Sequence, residues 1–125
     1  MKTVNTDKAP AAIGPYSQAI ISGGLVFTSG QIPVDPATGA VAGETIVEQA
    51  KQVMANLQVV LAAAGTTPER AVKTTCFLAD MADFAAFNEI YAQTFTSKPA
   101  RSCVAVRTLP KGVLCEVEVI AEVED

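Results

Sequence analysis

Histidine is absent from this chain. That removes Ser-His-Asp and Cys-His catalysis and the commonest transition-metal ligand. Its chemistry must rest on carboxylates, arginine, lysine, tyrosine, hydroxyls and backbone amides. Arg101 follows Pro99-Ala100 at the start of a β-prone stretch. Its guanidinium is planar and permanently charged, and it forks onto a carboxylate through two parallel hydrogen bonds. Taken alone, a salt bridge to Glu116 or Glu118 is the simpler role. Glu116 alternates with apolar residues and could orient a water near an electrophilic carbon. By itself it reads more simply as a solvated or ion-paired carboxylate, and Glu118 competes for the same role. Cys103 lies two residues after Arg101 and shares its face. It reads as a small buried filler rather than a nucleophile, because no imidazole is available to make a thiolate. Gly14-Pro15-Tyr16-Ser17 and Thr28-Ser29-Gly30-Gln31 are turns with hydroxyls and free amides. No glycine-rich loop precedes a helix, so a nucleotide cofactor is not expected.

The elements that position these groups belong to one domain, residues 1–125. A chain of this length buries roughly two-thirds of its unfolded surface. With 50% hydrophobic and 18% charged residues it is not disordered. No apolar run approaches the roughly 18–20 residues of a membrane helix, and Met1 to Asn5 has no apolar leader core, so a cytoplasmic protein is expected. Nine basic residues face thirteen acidic ones, for a net charge of −4, and the lysines are scattered, so nucleic acid is not the expected partner. Cys76, Cys103 and Cys115 form no CxxC pair and read as reduced, buried thiols.

Ala19-Ile20-Ile21 and Leu25-Val26-Phe27-Thr28 flank Gly23-Gly24 and predict a hairpin. Ile46, Ala50, Val53, Met54, Leu57, Val60, Leu61 and Ala64 form one apolar stripe at helical spacing. Thr45 with Glu48 gives this helix a capping box, and Gly65 and Pro68 end it. Ala71 to Leu78 reads as a strand. Asp83 is placed to cap a second helix whose Phe84, Phe87, Ile90, Tyr91 and Phe95 share a face. Ala100 to Val106 and Val113 to Val123 are the last strands. In the final strand Cys115, Val117, Val119, Ala121 and Val123 face the helices, and Glu116, Glu118, Glu122 and Glu124 face away. Two helices cover only one face of such a sheet. The second face, read as carrying both Arg101 and Glu116, must then meet water or another subunit.

These pieces, in this order, resemble the Rid family, the reactive intermediate/imine deaminases. The blocks are Ala11-Ala12-Ile13-Gly14-Pro15-Tyr16-Ser17-Gln18, Thr28-Ser29-Gly30-Gln31-Ile32-Pro33, Val72-Lys73-Thr74-Thr75-Cys76-Phe77-Leu78 and Asp83-Phe84 with Asn88 and Tyr91. They continue with Pro99-Ala100-Arg101-Ser102-Cys103-Val104, Leu109-Pro110 and Glu116-Val117-Glu118. The resemblance covers nearly the whole chain, and the Pro-Ala-Arg-Ser-Cys-Val block with its downstream glutamate is the specific part.

The resemblance implies an α+β, chorismate-mutase-like fold: a mixed six-stranded sheet with two helices on one face, assembling as a homotrimer with sites between subunits. It implies cofactor-independent hydrolysis of enamines and imines, such as 2-aminoacrylate and 2-iminobutanoate, to 2-keto acids and ammonia. Such substrates are released by pyridoxal-phosphate enzymes. The carboxylate-binding arginine falls on Arg101 and the water-positioning glutamate on Glu116. The substrate-lining positions fall on Tyr16, Ser29, Gly30, Asn88 and Cys103. The segment Phe95 to Pro99 is shorter than in many archetypal members. Members without deaminase activity commonly lose the arginine, which this chain keeps. A non-catalytic 2-keto-acid sensor or a chaperone-like trimer is the alternative. A ribonuclease fits the acidic charge and missing histidine less well.

Overall fold

Thr45 starts the longer helix, α1 (Ile46–Ala63), through the expected capping box: its hydroxyl accepts from the Glu48 amide and the Glu48 carboxylate accepts from the Thr45 amide, both at 3.2 Å. The Thr45 hydroxyl, which donates to Glu48 Oε1 at 3.0 Å, and then the Glu44 and Thr45 amides hold the Glu48 carboxyl below the usual range. The apolar stripe is buried from Ile46 to Leu61. Two polar residues lie among the buried positions of α1. Asn56 donates to the carbonyls of Ile32 and Val34, and Gln49 accepts from the Leu114 amide. These bonds tie the loops at one end of the sheet to the helix, and one of those loops begins at Gly30.

The computed structural model describes residues 1–124. Its strands are β1 (Lys2–Val4), β2 (Ala19–Ser22), β3 (Leu25–Thr28), β4 (Ala71–Leu78), β5 (Ala100–Ala105) and β6 (Cys115–Glu122). They form one sheet in the order β1-β2-β3-β6-β4-β5. The β2–β3 hairpin turns at Gly23 and Gly24, with φ of +62° and +78°, the left-handed pair that a two-residue hairpin demands. Only β4 and β5 pair in parallel. A parallel pair needs a crossover, which α2 (Phe84–Thr94) supplies. Both helices lie on one face, and the core fills the space between them and β3, β6 and β4. The result is the expected single α+β domain with a mixed six-stranded sheet.

Three local readings change. β1 is a strand the periodicity did not place; only Val4 of its three residues is buried. Asp83 does not cap α2. Its backbone is already helical, and Asp80 instead accepts from the Ala82 amide to open the short 3-10 turn Met81–Asp83 that leads into the helix. Arg101 does not share the face of Glu116. In the ladder Arg101 is level with Thr74 and Cys103 with Cys76, and Thr74 and Cys76 are buried under the helices. Glu116 is level with Phe77 on the other side of the sheet.

Candidate active site

Two half-sites result. The first lies between β5 and α2. Phe84, Asn88 and Tyr91 stand at i, i+4 and i+7 of the helix and so face one way. The Arg101 guanidinium lies 4.8 Å from the Tyr91 ring centre and 5.4 Å from that of Phe84, cation–π contacts that hold its plane. One guanidinium nitrogen donates to Asn88 Oδ1 at 2.6 Å. The Tyr91 hydroxyl is fixed in turn by Thr74 Oγ1 at 2.7 Å, and burial pushes its pKa up. Arg101 forms no ion pair among the described residues, where Arg70–Glu124 is the one salt bridge. Its remaining N–H donors make no hydrogen bond among the described residues. A cavity of about 300 Å³ opens here, lined by Asn88, Tyr91, Phe95, Lys98 and Arg101 among others.

Cys103 sits on the same side, half-buried and opposite Cys76. Burial pushes its pKa up against the opposing pull of Arg101. Cys76 and Cys115 are pushed up to about 12, chiefly by burial. All three are thiols at neutral pH, in keeping with a packing role.

The second half-site lies on the open face, where β3 runs out beside β6. Gln31 and Val117 exchange backbone hydrogen bonds of 2.8 and 3.1 Å, which draws Gly30 against the side chain of Glu116. A β-carbon at Gly30 would lie 2.0 Å from Glu116 Oε2, so any larger residue would push the Glu116 carboxylate out of this position. Burial, and then the like charge of Glu118, raise the Glu116 pKa. A carboxylate so placed is a stronger base than a free one. Ser29 Oγ donates to the Ser17 carbonyl at 2.5 Å and so ties the Tyr16 loop to β3. Tyr16 is 54% exposed and lines, with Gly30, a cavity of about 500 Å³.

The structure thus brings Arg101, Asn88 and Cys103 together, and separately Tyr16, Ser29, Gly30 and Glu116. Within one chain the two groups stand on opposite faces of the sheet. Sequence reasoning did not assign Phe84, Tyr91 and Thr74 to the Arg101 site, although the helical spacing of Phe84, Asn88 and Tyr91 carries that signal. The open face that carries Glu116 is partly apolar: Phe27 and Val104 are exposed there, with Phe77 and Ile120 half-covered beside Glu118. No helix of the described residues is long and apolar enough to cross a membrane.

The family model described as Endoribonuclease L-PSP matches residues 6–123. A RutC family protein of Synechocystis is 55% identical over 124 residues, covering 97% of this chain and 95% of its own. A Salmonella typhimurium protein named 2-iminobutanoate/2-iminopropanoate deaminase is 52% identical over 124 residues, covering 96% of both chains. Among solved structures, Escherichia coli TdcF with bound serine superposes with a TM-score of 0.93 at 43% identity, covering 99% of this chain and 100% of that one.

Proposed function

The chain belongs to the endoribonuclease L-PSP family, which includes Rid proteins, and on that premise we propose that it is an enamine/imine deaminase working as a homotrimer, with its sites between subunits. The observation that carries this is the uncommitted Arg101 guanidinium on one sheet face and the Gly30-seated Glu116 on the other. Packing the open face of one subunit beside the β5–α2 edge of the next completes a site from the two halves.

In that site Arg101 takes the substrate carboxylate, steered by Asn88 and by the rings of Phe84 and Tyr91. A 2-imino acid carries its electrophilic carbon directly next to that carboxylate. The enamine tautomer is first protonated at carbon to give the protonated imine, an iminium. Glu116 then orients a water and accepts its proton as the C–O bond forms, giving a carbinolamine. Glu116 returns that proton to nitrogen and then takes the hydroxyl proton of the carbinolamine, so that the C=O bond forms as the C–N bond breaks and ammonia and the 2-keto acid leave. Tyr16, Ser29 and Cys103 line the pocket, and backbone groups beside Gly30 hold the nitrogen and new hydroxyl. Imines hydrolyse unaided in water, so positioning with one acid/base group, worth roughly 10²–10⁴-fold, suffices without a cofactor. The named deaminase relative supports the reaction, and the serine complex of TdcF supports a ligand with a free carboxylate. Pyridoxal-phosphate enzymes acting on serine or threonine would supply such substrates in the cytoplasm.

The test mixes two inactive variants. Arg101→Ala and Glu116→Gln are refolded together, and light scattering checks for three chain masses. Random assembly pairs an intact Arg101 with an intact Glu116 at about a quarter of the interfaces of a cyclic trimer. Ammonia release from 2-iminopropanoate generated in place should therefore return to about a quarter of wild type. No recovery in a properly assembled mixture would mean that one chain supplies both residues, and the shared site would be abandoned.

A further inference from the structure

The cavity beside Arg101 is lined by a second cation. Lys98, at the end of the turn that follows α2, lines it together with Arg101. The turn places Lys98 firmly: its amide donates to the Phe95 carbonyl at 3.3 Å and its φ is +56°. A non-glycine residue adopts that conformation only at a cost. Lys98 forms no ion pair among the described residues, and neither does Arg101. In a chain with an excess of acidic residues, one cavity therefore offers two cations and no carboxylate to neutralise them. Tyr91 and Phe95 give it an apolar wall, suited to a short methylene stem. Lys98 is exposed and Arg101 half-buried, so the two charges meet a ligand at its outer and inner ends.

We propose that Lys98 is a specificity-determining residue and that the site takes 2-imino acids, and the matching 2-keto acids, whose short side chain ends in a second carboxylate. Arg101 holds the carboxylate next to the reacting carbon, and Lys98 holds the distal one. The reaction assumed rests on the deaminase reading, but the binding preference does not.

Titration calorimetry on the assembled protein compares 2-oxoglutarate with 2-oxopentanoate, which share a five-carbon chain and differ in the terminal carboxylate. One further charge-assisted contact should make the diacid bind about tenfold more tightly. Lys98→Asn should bring the ratio to about one while 2-oxopentanoate binds as before, since asparagine tolerates the left-handed turn. Lys98→Arg should keep the preference. Equal binding of the two acids by wild type, no binding of either at millimolar concentration, or an equal loss of both in Lys98→Asn would each overturn the assignment. Hydrolysis of 2-iminopropanoate by wild type is measured separately. Diacid preference without hydrolysis sinks the deaminase reading alone, and hydrolysis without preference sinks the role of Lys98 alone.

Discussion

Gly30→Ala isolates the placement of Glu116 from its chemistry. The φ of Gly30 lies outside the left-handed region, so alanine strains no backbone there. The three atoms nearest the new methyl group all belong to the Glu116 side chain: Oε2 at 2.0 Å, Cδ at 2.8 Å and Cγ at 3.0 Å. Ordinary contact begins near 3.4 Å, so the carboxylate oxygen must withdraw by about 1.4 Å. Glutamate has three side-chain torsions and can swing away, so the fold should hold and the melting temperature should move by only a few degrees. The catalytic cost is different in kind. A misplacement on the order of 1 Å typically costs about 10²-fold in rate. Steady-state ammonia release from 2-iminopropanoate should therefore show kcat/KM falling about a hundredfold. Trimer mass and binding of a 2-keto acid at Arg101 should be unchanged. Adding Gly30→Ala to Glu116→Gln should lower the rate little further, because both remove the same positioned base. A fully active, folded Gly30→Ala would show that catalysis does not need Glu116 where Gly30 seats it, and the water-positioning role would fall.

Arg101→Lys should retain assembly yet lose two orders of magnitude or more in kcat/KM, since each charge-assisted bond is worth about 1.5–3 kcal/mol and an ammonium cannot reproduce the fork; normal turnover by an intact trimer would remove Arg101 from the mechanism. The pH profile should report Glu116. Its carboxyl is raised by burial and by Glu118, so the active carboxylate is lost, as pH falls, above the ordinary value of 4.5. Glu118→Gln removes the like charge and should move that acid limb to lower pH, and an unmoved limb would assign it to another group. By the same linkage the folded chain disfavours ionised Glu116, so Glu116→Gln should raise the melting temperature at pH 7, with the gain fading as pH drops below the unfolded carboxyl range.

Much of the architecture is local and so was legible in the sequence. The α1 stripe repeats over 18 residues, long enough for the helical period to average out exceptions. The capping box and the Gly23-Gly24 turn are set by side chains within a few residues of each other. β6 alternates valine, cysteine and alanine with glutamate at every outward position but Ile120, so its two faces differ sharply in hydration energy. β5 carries no such contrast. Arg101 and Cys103 alternate with Ser102 and Val104, and neither set is clearly the apolar one. Its face was decided by its parallel register with β4, which turns Arg101 under α2 and away from Glu116. β1 escaped for a related reason: three residues with one buried side chain hold no period, and the strand exists because β2 offers it a free edge. Asp80 and Asp83 differ as caps only once the chain has bent into its 3-10 turn. The residues of the candidate site were thus readable from type and motif. Their division into two half-sites was not, because strand register is a long-range choice that the alternation within one strand cannot express.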